Sequence, residues 1–123
     1  MKSGVRIVLG LLLIGMAQAE VSIPADKDVL LFESKLGTVT FHHRKHADMS
    51  ITQCTTCHHS FKPEEDTAIK ACNECHGAKK TAEVPALKDS VHLRCQGCHQ
   101  YTIDQGGHAG PTKKECKLCH IKG

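Results

Sequence analysis

Cys54-Thr55-Thr56-Cys57-His58 sets two thiols three residues apart, with a histidine directly after the second. The same spacing returns at Cys72-Asn73-Glu74-Cys75-His76, Cys95-Gln96-Gly97-Cys98-His99 and Cys116-Lys117-Leu118-Cys119-His120, and these four copies use all eight cysteines of the chain. C-x-x-C-H is the attachment signature of c-type haem: the thiols add across the porphyrin vinyl groups, and the histidine gives an axial nitrogen to iron. On one helical turn, positions i, i+3 and i+4 share a face, so the three groups can approach one side of a flat macrocycle.

Other uses of paired cysteines fit less well. Disulfides need no histidine after every second cysteine, and the two members of one C-x-x-C seldom make a good structural bridge. Eight cysteines in C-x-x-C pairs could close two zinc sites, but the four adjacent histidines would then have no reason to be there. A thioredoxin-like dithiol would occur once, in a βαβ setting that is not visible here.

The chain carries ten histidines. Four haems would take His58, His76, His99 and His120, leaving His42, His43, His46, His59, His92 and His108. If each iron is held between two histidines, four of these six are needed. The plain alternative for any one of them is a solvated side chain titrating near neutrality.

Phe41-His42-His43-Arg44-Lys45-His46, the doubled His58-His59, and His92 just ahead of Cys95 together resemble the class III cytochromes c, the cytochrome c3 family. The likeness spans nearly all of Val29 to His120. It implies haem attachment at Cys54, Cys57, Cys72, Cys75, Cys95, Cys98, Cys116 and Cys119, and four iron sites paired as His43 with His58, His59 with His76, His46 with His99, and His92 with His120. His42 stands where the family often has proline, so His42 and His43 remain alternatives for the first ligand, the resemblance favouring His43. The related trihaem cytochromes c7 lack the second haem; Cys72 to His76 and the doubled histidine make this chain look like the four-haem form. All four motifs are short, whereas many family members use a longer C-x-x-x-x-C-H for some haems.

Lys2, Arg6, the apolar run Ile7 to Ala17 and the small-x-small Ala17-Gln18-Ala19 read as an export signal over residues 1–19. Eleven helical residues reach roughly 17 Å, well short of a hydrocarbon core of about 30 Å, which disfavours a membrane anchor. Cleavage after Ala19 leaves one domain, Glu20 to Gly123, of 104 residues. That domain holds 14 cations and 13 acids, which gives no case for nucleic-acid binding. Its charge is uneven: Glu20 to His76 hold six cations and nine acids, Gly77 to Gly123 eight and four.

The mature chain has no tryptophan, and its aromatics are Phe32, Phe41, Phe61 and Tyr101, a poor supply for an ordinary core. The expected fold is mostly irregular, with short α-helices and a small N-terminal β-hairpin organised around four haems. Val29–Phe32 and Thr38–Phe41 read as strands joined by Glu33–Gly37. Short helices are expected at the attachment sites, at Asp66–His76, Ser90–Gln100 and Thr112–His120, with turn-rich Gly77–Pro85 and Asp104–Pro111 between them. The motifs recur at unequal intervals, so they repeat a site and not a folded unit.

These readings point to a low-potential electron carrier and not an enzyme, because bis-histidine ligation leaves no coordination position for substrate. Met49 is the only methionine of the mature chain. The resemblance implies a monomer in the periplasm that exchanges electrons with hydrogenases or other multihaem cytochromes in anaerobic respiration, free or docked on a membrane redox complex. Lys113, Lys114, Lys117 and Lys122 form either a docking face for an acidic partner or a plain solvated face. Two rivals stand beside this reading: an enzyme in which one iron lacks its distal histidine, and a zinc-binding module.

Overall fold

The computed structural model describes residues 21–66 and 68–123; the export signal expected over residues 1–19 lies outside the described residues. The elements run in order as a 3-10 turn at Ala25–Lys27, strands β1 (Leu30–Phe32) and β2 (Val39–Phe41), helices α1 (His43–Ala47) and α2 (Cys54–Cys57), a 3-10 turn at Cys72–Glu74, and helices α3 (Leu87–Asp104) and α4 (Cys116–Cys119).

The hairpin is antiparallel, with Leu30 opposite Phe41, Leu31 opposite Thr40 and Phe32 opposite Val39. Phe32 and Phe41 are diagonal neighbours on one face, their rings 6.2 Å apart. Each strand is one residue shorter than the sequence suggests, and for Thr38 the reason is visible. It bridges instead to Ile121, exchanging Thr38 N–H to Ile121 O (2.9 Å) and Ile121 N–H to Thr38 O (3.1 Å). The hairpin loop thus holds the end of the chain.

Gly37 makes that junction feasible. Its φ is +128°, and a Cβ there would sit 2.5 Å from the Ile121 carbonyl oxygen. Gly106 also has positive φ, +81°, yet its Cβ would meet nothing within 4 Å. Gly106→Ala therefore isolates backbone strain, while Gly37→Ala adds a backbone clash. Gly37→Ala is expected to destabilise the junction by about 1–3 kcal/mol or more. Denaturant titration of the holoprotein should show a larger midpoint loss for Gly37→Ala than for Gly106→Ala, and equal losses would refute the clash.

Helix α3 runs further in both directions than Ser90–Gln100. It starts directly after the extended Ala86 (φ −61°, ψ 149°). It ends in a Schellman motif, with Gly106 N–H on Ile103 O and Gly107 N–H on Thr102 O, both 2.9 Å. The other two expected helices are shorter than read. Asp66–His76 is helical only as the Cys72–Glu74 turn, because Ala71 is extended (φ −74°, ψ 152°) and the Glu74 carboxylate accepts its N–H. Thr112–His120 is helical only at Cys116–Cys119, where Glu115 accepts the Thr112 N–H at 3.1 Å. Such short turns cost nucleation without repaying it, and a local side-chain bond outcompetes their extension.

Among the described residues only Phe61 and Ala86 are buried, each 7 % exposed. Leu93 on α3 is 79 % exposed, Leu31 63 % and Leu118 61 %. The described residues make no core of their own.

Candidate functional site

Each C-x-x-C-H motif closes one turn. His58 N–H donates to Cys54 O at 2.8 Å, His76 N–H to Cys72 O at 2.9 Å and His120 N–H to Cys116 O at 2.9 Å; the third motif lies inside α3. The turn puts both thiols and the imidazole of a motif on one face. All eight thiols are free, and all but the half-buried Cys119 are exposed.

The motif histidines are then fixed from outside the turn. Nδ1–H of His58 donates to Lys70 O (3.2 Å), that of His76 to Pro85 O (2.9 Å) and that of His99 to Pro111 O (2.8 Å). In these three the chain leaves the motif and returns its own carbonyl 9 to 12 residues later. His120 is held differently. Its Nδ1–H instead meets the hairpin loop, at Ser34 Oγ (3.0 Å) and Gly37 O (3.4 Å). His76 has a second acceptor as well, Ser90 Oγ at 2.9 Å, whose own hydroxyl donates to Ala86 O.

The histidines outside the motifs are held similarly. His43 Nδ1–H donates to Lys27 O (3.0 Å), His46 to His42 O (2.9 Å) and His92 to Lys88 O (2.6 Å), the last two within their own helical turns. Arg44 ties the N-terminal arm onto α1 through Asp28 Oδ1 (2.6 Å) and Ile23 O (2.7 Å), which sets the Lys27 carbonyl beside His43. Phe41 at the end of β2 covers both α1 histidines, with ring centroids 5.8 Å from His43 and 4.6 Å from His46.

A carbonyl on Nδ1 fixes the tautomer, leaving the lone pair on Nε2. Burial lowers the His58 pKa below the usual imidazole range, against the raising effect of the Lys70 carbonyl, and His43 and His59 lower it further. The shift favours the neutral ring, the form that binds metal. Crowding by protein pushes the thiols of Cys57, Cys95 and Cys119 upward; Arg94 pulls Cys57 back, while neighbouring cysteines raise all three. Cys72, from another motif, and Cys98 are among the cysteines that raise both Cys57 and Cys95.

Four pairs of rings face each other: His43 and His58 at 6.0 Å, His59 and His76 at 5.8 Å, His46 and His99 at 6.3 Å, and His92 and His120 at 6.0 Å. The eight histidines that face each other are the eight expected as ligands, grouped as the resemblance implies. Between His42 and His43 the structure brings His43 against a motif histidine; the exposed His42 and His108 have no ring partner among the described residues. Ordinary aromatic contacts also lie between about 4.5 and 7 Å, so spacing alone does not separate packing from ligation. On each of these eight rings Nε2 has no hydrogen-bond partner among the described residues and so is available as a donor to a metal. One metal between two imidazoles needs about 2 Å for each bond and about 1 Å from each nitrogen to its ring centre, or about 6 Å in all. The interplanar angles range from 25° to 62°, as expected for rings that share an axis and turn freely about it. A closed zinc cage is a different geometry, and no group of three or more His, Cys, Asp or Glu is placed to hold a metal ion among the described residues.

The orienting carbonyls and hydroxyls were not read from the sequence. A carbonyl carries no side-chain signature, and only the return loops ending at Pro85 and Gly110-Pro111 gave a hint. Gly110 lies so close that a Cβ there would meet His99 Cε1 at 2.7 Å.

Residues 17–120 match the family described as Class III cytochrome C. Among solved structures, PpcE, a cytochrome c7 from Geobacter sulfurreducens, is 36% identical; the match covers 76% of this chain and 96% of that chain, with a TM-score of 0.45. No curated protein matches.

Proposed function

Because the chain belongs to the class III cytochrome c family, whose members transfer electrons through covalently bound haem c, we propose that it is a periplasmic carrier with four bis-histidine haems serving anaerobic respiration. The observation that carries the count is the set of four facing histidine pairs, 5.8 to 6.3 Å apart, each beside its own pair of thiols. Cys54 and Cys57, Cys72 and Cys75, Cys95 and Cys98, and Cys116 and Cys119 would anchor the four groups. His43 with His58, His59 with His76, His46 with His99, and His92 with His120 would hold the irons.

Bound haem supplies one-electron redox chemistry at a potential set by its axial ligands. The protein's own part is to present eight Nε2 atoms in four facing pairs. The carbonyls on Nδ1 of seven of these rings, all but His59, would make those donors stronger, which favours oxidised iron and a low potential. With two histidines to hold each iron, the site would suit electron transfer and not substrate turnover.

Lys113, Lys114, Lys117 and Lys122 are exposed beside α4 and belong to no ion pair among the described residues. They support docking of an acidic redox partner, such as a hydrogenase or another multihaem cytochrome, on a monomer that is free or held at a membrane complex.

The mass of the matured protein tests the proposal. The expected value is residues 20–123 plus four haems, with an all-low-spin spectrum in the oxidised state. Three haems would move the chain to the trihaem form, and an intact leader would remove the proposal of a cleaved, freely diffusing carrier.

A further inference from the structure

The eight ligand histidines are not held equally. Seven are half-buried and have Nδ1 on a named acceptor. His59 is the exception on both counts: it is exposed, and its ring has no hydrogen-bond partner among the described residues. Its backbone is fixed all the same, since the turn that contains it closes through Phe61 N–H on His58 O at 2.9 Å. The ring can therefore leave by side-chain rotation alone, into water, with no carbonyl contact to give up.

Across from it stands His76, which has two acceptors on Nδ1, Pro85 O and Ser90 Oγ, both at 2.9 Å. This pair joins the least restrained distal ring to the most restrained motif ring. In the other three pairs both rings are anchored. Loss of an orienting partner typically weakens a metal ligand by about 10–100-fold.

We propose that the iron held between His59 and His76 is the ligand-exchange centre of this protein, where a small haem ligand such as carbon monoxide displaces His59 while the other three irons keep both histidines. The inference rests on the four-pair reading above. The site is closed at rest and opens by exchange, which distinguishes it from an enzyme whose iron lacks a distal residue.

The test is carbon monoxide binding to the reduced holoprotein, followed by haem absorbance together with the haem count. One equivalent per chain is expected, at a rate that levels off at high carbon monoxide because departure of His59 limits it. His59→Gly should still bind one equivalent, at least about 10-fold faster and with a rate linear in carbon monoxide. If that variant does not retain its second haem, His59→Gln keeps the bulk of the side chain without the imidazole, and the same criteria apply. A four-haem protein that binds no carbon monoxide, that binds it equally at all haems, or whose His59 variant gains a second equivalent overturns the inference alone. A count other than four haems overturns the four-pair reading instead.

Discussion

Expressed without haem attachment, with its eight cysteines changed to serine to prevent cross-linking, the segment 20–123 is expected to be unfolded in water. Its far-UV circular dichroism should be that of a disordered chain, with no cooperative thermal transition. The reason is the lack of anything else to bury: Phe61 and Ala86 are the only buried residues among those described. The strands are three residues each, and two of the helices have only four. A lone two-stranded hairpin is marginal at best, and helices below about 12 residues do not persist alone. Helix α3, with 18 residues, is the one segment long enough to keep residual helicity, and Gly97 in its middle lowers that by about 1 kcal/mol. Attachment of the cofactor supplies the folding energy, so the holoprotein should melt cooperatively at a temperature where the serine variant has no transition left. A sigmoidal unfolding curve from the haem-free chain would show that the polypeptide has a core after all.

The site was more legible in the sequence than the fold. Cys54 to His58 and its three copies carry their chemistry in residue identity and spacing, which survive any uncertainty about the backbone. The pairing of His46 with His99, or of His92 with His120, was another matter. These partners lie 53 and 28 positions apart and came from family likeness; the structure then brings their rings together at 6.3 and 6.0 Å. Element boundaries were harder to read. Asp66–His76 has a helical look, yet Glu74 binds the Ala71 N–H and stops the helix at one turn. Thr38 reads as a strand residue, but its partner is Ile121, at the far end of the chain. Both outcomes depend on contacts that no local window contains. The acceptors for the histidine Nδ1 groups were invisible for a further reason: Lys27, Lys70, Pro85 and Pro111 act through backbone carbonyls, so their side chains need not advertise the role.

If the chain carries the four haems proposed above, His46→Met is expected to raise one of their reduction potentials by on the order of 0.1–0.2 V, within the range of about 0.8 V that axial ligands command. His46 lies on α1, its Nδ1–H on His42 O at 2.9 Å and its ring 4.6 Å from Phe41. The ring opposite, His99, is fixed independently by Pro111 O and by the close passage of Gly110. Replacing His46 should therefore change one ligand and leave the other in place. A thioether gives less electron density to oxidised iron than an imidazole whose Nδ1–H is shared with a carbonyl, so the reduced state gains. The iron of the His43–His58 pair should move less and in the opposite direction. His43 is three positions from His46 on the same short helix, so irons held by the two would be neighbours, and an electron already resident on one would repel the next. Lys45→Met changes an exposed side chain between the two histidines and is expected to leave all four potentials near their original values. Stepwise reductive titration, with each haem followed by its own nuclear magnetic resonance signals, separates these outcomes. A uniform shift of all four potentials in His46→Met would mean that the residue acts through the fold and not as a ligand to one iron.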